Sequence, residues 1–349
     1  MARENSPVPE VEANQSKHTI DMLNFFKIWF GPMSEIVKER LVSIKEQVRE
    51  ANISLLWAPE YLDSDSVEQI VAFANAHKIN LVDISTIKPT NLIEELLLEL
   101  MHLELYHWFH FKKSGNLGAA SDILRLLSHC YQYGYYTDCD VTQTSLINDE
   151  NRYVDIESGI VFNKQTRGFN NDIIAGDINH FLIKRYKIEV LNKYIHYIET
   201  YLSKDIENNI ELGDKFKLYT LQLKLFLLSP TEKNAELLDH FKKKEFLKII
   251  SELKQHPGLF ESRNRENVYN IISMSGPLLL QHLLRGIDSE NLRLLEEIIF
   301  NFQKFFTCEN DISWNKQASK VRHATFFTSK TDGMVSNFAD LSFSECNAI

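Results

Sequence analysis

Cysteine is scarce in this chain: Cys130, Cys139, Cys308 and Cys346 are the only four among 349 residues. They form no C-x-x-C pair and lack the density of a disulfide scaffold, so a reducing compartment is the natural reading. Long apolar runs are missing too. No stretch reaches 18 apolar residues, so no bilayer-spanning helix is expected. Met1 to Lys17 is polar, carries two prolines and lacks the apolar centre of a cleavable signal. Positive charge is in deficit, with 38 Lys and Arg against 48 Asp and Glu and a net charge of −10. That balance argues against nucleic-acid binding, which rests on phosphate neutralisation by basic side chains. The basic run Lys242-Lys243-Lys244 lies in a charged helical stretch and reads as a solvated face. No internal repeat is present. What the chain does have is 44% hydrophobic residues, enough to bury a sizeable core in one large domain or two.

Residues 1–16 are expected to lack regular structure. Thr19 to Glu50 reads as helical: Ile20, Leu23, Phe26, Ile28, Trp29 and Phe30 precede a break at Gly31-Pro32, and Ile36, Val37, Leu41 and Ile44 follow at helical spacing. The aromatic cluster Phe25, Phe26, Trp29 and Phe30 is expected to pack against the rest of the domain, with peripheral membrane contact as the alternative. A strand at Ile53 to Trp57, a helix near Ser64 to His77 and a strand at Ile79 to Ile84 give the rhythm of a nucleotide-binding α/β start. Leu92 to Phe111 reads as a helix carrying His102, His107 and His110. Only the last two are three apart and no H-E-x-x-H accompanies them, so packing or surface roles are favoured over zinc. Tyr153 to Phe162 reads as a pair of short strands around Ser158-Gly159, and Asp172 to about Phe306 as nearly all helix.

The chemistry concentrates between Ala119 and Asp140. In an extended segment, alternate side chains share a face, so Asp138 and Asp140 would point the same way with Cys139 turned inward. Two hard carboxylates on one face suit Mg²⁺ or Mn²⁺, which would reverse their repulsion of a diphosphate. Asp122 and Arg125 lie three apart among Ile123, Leu124, Leu126 and Leu127, which puts both on one helix face where they can reach one ligand. Taken singly, the pair also reads as an ion pair and the acids as turn residues.

The composite run, an alanine-rich lead, S-D-I-L-R, then Gly134-Tyr135-Tyr136-Thr137-Asp138-Cys139-Asp140, resembles the DxD-containing glycosyltransferases, nearest to the large clostridial glucosylating toxins and bacterial effector glucosyltransferases. The resemblance extends over most of residues 50–315. It implies an α/β GT-A-type nucleotide-sugar-binding core with a mixed sheet and extensive helical insertions. It divides the chain into N-terminal helices at 17–50, the core at 51–183, a mainly helical acceptor-side region at 184–306, and a closing loop and tail at 307–349.

By that resemblance, Trp57 ends the first strand and stacks on uracil, although Ala58-Pro59-Glu60-Tyr61 stands where the family has a Gly-rich turn. Asp122 and Arg125 contact sugar hydroxyls, and Tyr136 and Asp138 the nucleotide or ribose. Asp138 and Asp140 ligate metal, with Asp311 taken as a third ligand from among Glu309, Asp311 and Ser313. Asn170 or Asn171 contacts the sugar, and Ser313-Trp314 closes over the diphosphate, Trp314 donating to the leaving phosphate. Ser273 to Pro277 is similar to a short family motif and equally reads as a helix-capping turn.

The implied activity is metal-dependent transfer of a hexose from a UDP-sugar to a protein hydroxyl, with retention. The implied setting is an effector made in a bacterial cytoplasm and acting in a host cytosol, with a GTPase-like protein as a possible acceptor class. Phe169 and Asn171 flanking Asn170 would crowd a 2-acetamido group, which favours glucose. Two other readings stand beside it. The string Asp138-Cys139-Asp140-Val141-Thr142 also fits a haloacid-dehalogenase-type phosphatase with Asp138 as nucleophile, and the acids could belong to a non-catalytic helical interaction protein.

Overall fold

The segment Asn24–Ile28 is a β-strand, and it lies inside a six-stranded sheet. The computed structural model describes residues 17–111, 114–165, 168–204, 212–221, 223, 242–260, 274–285 and 304–308. Its strands are β1 (His18–Asp21), β2 (Asn24–Ile28), β3 (Asn52–Trp57), β4 (Asn80–Asp83), β5 (Tyr135–Thr137), β6 (Val141–Gln143), β7 (Tyr153–Ile156), β8 (Ile160–Gln165), β9 (Gly168–Gly176) and β10 (Phe306–Cys308). The helices are α1 (Glu35–Gln47), α2 (Ser64–His77), α3 (Leu92–His110), α4 (Leu117–Leu124), α5 (Phe181–Lys204), α6 (Lys242–Leu253) and α7 (Pro277–Leu284).

The main sheet runs β4-β3-β2-β5-β9-β8. Its first four strands are parallel, and β9 pairs antiparallel with both β5 and β8, so the fold is α/β with a mixed sheet. The chain moves outward from β2 through α1 to β3 and through α2 to β4, then returns through α3 and α4 to β5 on the other side of β2. The direction of winding therefore reverses between β2 and β5, and the crevice beyond the carboxyl ends of those strands is where open α/β sheets bind ligands. Outside the main sheet, β1 pairs with β7 and β6 with β10, both antiparallel.

The helical expectation for Thr19 to Glu50 is corrected: β1 and β2 occupy its first part, and helix begins only at Glu35. Phe25, Phe26, Lys27 and Ile28 are all buried, so β2 lacks the alternation of a half-exposed strand, and a short apolar run cannot be told from helix by periodicity. Consequently 17–50 is not an N-terminal helical block ahead of a core at 51–183, because β2 is an inner strand of that core. The expected strands at Ile53–Trp57 and Ile79–Ile84 and the helices at Ser64–His77 and Leu92–Phe111 lie where the patterning puts them, within a residue or two at each end. The short strands near Ser158-Gly159 exist but do not pair with each other, since β7 joins β1 and β8 joins β9. Residues 172–176 continue β9, and helix starts at Phe181.

A buried polar clamp holds α3, α5 and the loop after α4 together. Glu94, fully buried in the first turn of α3, accepts from Lys187 Nζ of α5 (2.6 Å), Ser128 N (3.0 Å), Ser128 Oγ, and Thr90 N and Oγ1 (2.9 and 2.8 Å). Burial pushes its carboxyl up, but the Lys187 charge and these hydrogen bonds outweigh that and bring it to about 2. His107 is a packing residue: buried, with Nε2 donating to the Leu253 carbonyl (3.0 Å) and Nδ1 3.2 Å from Ser114 Oγ. Among the described residues no helix is long and apolar enough to cross a membrane. Residues 1–16, Ser273, Glu309, Asp311, Ser313, Trp314 and the tail lie outside the described residues.

Candidate active site

The loop after α3 and the start of α4 bring the S-D-I-L-R run to the sheet. Asn116 caps α4 by accepting from Ala119 N (2.9 Å). Gly115 lies so close to the Glu104 carbonyl of α3 that a Cβ there would overlap it. Ala119 and Ala120 are buried, and α4 ends so that Asp122 and Arg125 both face β5 and β9.

Arg125 organises the site. Its Nη1 donates to the Asn171 carbonyl of β9 (2.7 Å), and its Nη2 lies 3.2 Å from both Asp122 Oδ1 and Asp138 Oδ1. Its Nε donates to the Ser121 carbonyl and its Nη2 to Ser121 Oγ (3.2 and 3.1 Å). The guanidinium stacks 4.4 Å from the Tyr136 ring centroid, and the Tyr136 hydroxyl donates to Asp138 Oδ1. Burial opposes the Arg125 charge, but Asp138, Tyr136 and Asp122 outweigh it and shift its pKa upward. Asp122, Arg125, Tyr136 and Asp138 thus form one contiguous cluster at the carboxyl end of β5.

Asn171 and Asn170 divide the neighbouring strand between two sides. Asn171 Nδ2 donates to Asp122 Oδ1 (2.9 Å) and to the Tyr186 hydroxyl (3.2 Å), which fixes the orientation of its amide. Asn170 Nδ2 instead donates to Asp172 Oδ2 (2.9 Å), which also accepts from Asn163 Nδ2 (3.0 Å). Ser275 Oγ donates to Asp122 Oδ2 (3.1 Å), while the Tyr186 hydroxyl reaches the carbonyls of Ser275 and Gly276 (2.6 and 3.0 Å). Ser275 therefore touches the cluster directly, ahead of α7. Its sequence signal, Gly-Pro at a helix start, equally marks an ordinary cap. Burial pushes the Asp122 carboxyl up against the pull of Arg125; Asp138 adds to the rise, while Asn171 and Ser275 moderate it.

The acids at 138 and 140 do not lie on a strand. β5 ends at Thr137, and Asp138 to Val141 is a turn closed by Val141 N donating to the Asp138 carbonyl (3.1 Å) and tied to β9 through Asp138 N and the Asp172 carbonyl (2.8 Å). Alternation along an extended segment therefore does not bring these acids together; the turn does. Burial, then the charges of Asp138 and Asp172, raise the Asp140 carboxyl to about 8, with Lys27 opposing them. This excess of negative charge on hard oxygens is what a divalent cation relieves, so the donor set fits Mg²⁺ or Mn²⁺. Among the described residues no group of three or more His, Cys, Asp or Glu side chains is arranged to hold a metal, and Asp138 and Asp140 would supply two ligands.

Trp57 ends β3, is 7% exposed, and lies one strand away from the reversal point. Trp29 follows β2 directly beside that point and is half-buried, its indole N–H donating to the Pro32 carbonyl (3.2 Å) and Gly31 holding φ 101°. Lys27, fully buried on β2, is a further residue that sequence patterning does not single out.

An α/β fold with three carboxylates around one guanidinium at its reversal point defines a polar site of net negative charge. The profile described as Glycosyltransferase family 88 matches residues 10–212, and the chain belongs to that family. It is a glycosyltransferase, which sets aside the phosphatase and non-catalytic readings. Among solved structures it is similar to the PaToxG glycosyltransferase, at 16% identity over 83% of this chain and 90% of that one with a TM-score of 0.43. It is likewise similar to the catalytic domain of alpha-toxin from Clostridium novyi, at 16% identity over 86% and 82% with a TM-score of 0.44. The UDP-bound glycosyltransferase domain of the YGT toxin aligns at 14% identity over 79% and 78%, with a TM-score of 0.39. No curated protein sequence matches the chain.

Proposed function

We propose that this glycosyltransferase moves a hexose from a UDP-sugar to a hydroxyl on a protein acceptor, with retention at the anomeric carbon and with Mn²⁺ or Mg²⁺. The observation that carries this reading is the single guanidinium of Arg125 joining Asp122 to Asp138 at the reversal point of the sheet. One group thereby couples a sugar-facing acid to the acid beside the proposed metal turn.

Each residue has a distinct task. Asp122, held by Asn171 and Ser275, accepts from sugar hydroxyls, and Arg125 fixes its carboxylate and donates to the donor. Tyr136 and Asp138 meet the ribose and diphosphate. Asp138 and Asp140 hold the metal, with Asp311 as a third ligand, and the metal offsets the charge that builds on the departing diphosphate. Ser313 and Trp314 are proposed to close over that diphosphate, Trp314 donating to it. Base stacking passes from Trp57 to Trp29, because Trp29 is the more open of the two, adjoins β5's partner strand, and precedes a glycine turn of the kind the resemblance calls for. Asn171 takes the sugar-side role and Asn170 supports Asp172. Holding donor and acceptor in one orientation supplies much of the rate.

Glucose is the proposed sugar. The proposed setting is a secreted effector in a host cytosol, with a GTPase-like protein as the first acceptor class to try. Incubation with Mn²⁺ and a panel of UDP-sugars, following UDP release with and without eukaryotic lysate, tests the reading. No UDP release from any donor, together with no metal-dependent thermal stabilisation by UDP, would overturn it.

A further inference from the structure

Lys27 sits in the middle of β2 with no solvent exposure. An apolar side chain would suit such a position, and burying an ammonium group costs several kcal/mol by order of magnitude unless it is well paired. Three of its partners lie together. Nζ donates to Thr137 Oγ1 (2.9 Å), the Asp138 carbonyl (2.7 Å) and the Val141 carbonyl (2.8 Å). The two carbonyls come from the first and last residues of the turn that carries Asp138 and Asp140, and the same Asp138 carbonyl accepts from Val141 N (3.1 Å). The register of β2 on β5, Phe25 to Tyr135 and Phe26 to Tyr136, continues to place Lys27 beside Thr137.

We propose that Lys27 is a positioning residue for the metal turn: a tethered cation beneath Asp138–Val141 that draws both turn carbonyls inward and so presents the Asp138 and Asp140 carboxylates outward to the metal and the donor diphosphate. This rests on the metal-dependent reading above. Without the ammonium group, two carbonyls and a hydroxyl lose a partner in a dry interior, and the turn must reshape to recover one. Groups that orient ligating carboxylates commonly control metal affinity by factors of ten or more.

The test is direct Mn²⁺ binding to the full chain, read from loss of the free-ion electron paramagnetic resonance signal, without donor and then with UDP. Lys27→Met, similar in length and apolar, is expected to weaken Mn²⁺ binding about tenfold while far-UV and near-UV circular dichroism report a folded protein. Thr137→Val removes one of the three acceptors, is expected to weaken binding about threefold, and decides the matter if Lys27→Met does not fold. Glu94→Gln, which disrupts a buried pair away from the turn, is expected to lower the melting temperature but keep wild-type Mn²⁺ affinity. A folded Lys27→Met binding Mn²⁺ as wild type does, or, if that variant does not fold, a Thr137→Val doing so, overturns the proposal. An equal loss in Glu94→Gln also overturns it, since the effect would then follow stability alone. Wild-type protein that binds no Mn²⁺ removes the metal-dependent reading itself, and this proposal with it.

Discussion

Arg125 Nη2 lies 3.2 Å from Asp138 Oδ1, so the residue after a short helix and the residue after a short strand share one charge interaction, buried on the arginine side and half-buried on the aspartate side. The same guanidinium contacts Asp122 Oδ1 at 3.2 Å and the Asn171 carbonyl at 2.7 Å. Arg125→Met would leave Asp122 in a dry site without its cation. The expected loss is about 3 kcal/mol of stability, measured by urea unfolding, together with loss of transfer. Arg125→Lys should not restore transfer, because an ammonium cannot span three partners in a plane.

Asp140→Asn should leave the fold intact and lower UDP release from a UDP-sugar by about 10²-fold or more. The raised carboxyl of Asp140 shows that its charged form is disfavoured in the folded chain, so neutralising it carries little structural penalty. Steady-state UDP release beside a thermal melt checks both halves of the expectation.

The two tryptophans separate cleanly. Trp29→Ala should weaken UDP binding by about 1–3 kcal/mol, the worth of a base stack, with a small effect on melting. Trp57→Ala should cost about 3–5 kcal/mol of stability, as for a large buried aromatic, with UDP affinity near wild type wherever the protein remains folded. Calorimetric UDP titration and urea unfolding of both variants distinguish the roles.

Glu94 predicts a pH dependence. Its folded carboxyl is brought from 4.5 to about 2, so it contributes stability that is fully present above about pH 4.5 and lost as pH falls through about 2. The shift corresponds to at most about 3 kcal/mol. The difference in unfolding free energy between wild type and Glu94→Gln should shrink steadily as pH falls below 4.5. A difference that grows on acidification would contradict the assignment.

Gly134 holds φ 105°, and a Cβ there would overlap the Asn24 backbone. Gly134→Ala is expected to cost about 2–3 kcal/mol and to impair donor binding, because it pushes β5 away from β2 and with it Tyr136 and Asp138. Urea unfolding and UDP titration read the two effects.

Much of the site is legible in the residues alone. Asp122 and Arg125 share a face because helical spacing requires it, and the residue types at 138 and 140 are plain in the sequence, although it is the turn and not an extended strand that brings the two acids together. Patterning also locates α2, whose helical period survives because one face meets solvent, and β3, a short buried run read correctly as a strand. It fails at β2, where Phe25, Phe26, Lys27 and Ile28 are all buried and no periodic contrast remains. The proposed move of base stacking to Trp29 follows from that strand, which a helical reading of the segment hides.

By itself the sequence determined the family, the acids and the arginine, because these are properties of residue type and local spacing. Only the tertiary structure decided that β2 lies between β3 and β5, that Asn171 and Ser275 close on Asp122, and that Lys27 sits beneath the turn of Asp138 to Val141. The contacts of Asn171 and Ser275 with Asp122, and of Lys27 with Val141, join residues 49 to 153 positions apart. Long-range juxtaposition is set by sheet order and by which carbonyls and carboxylates are buried together, and no local spacing encodes it.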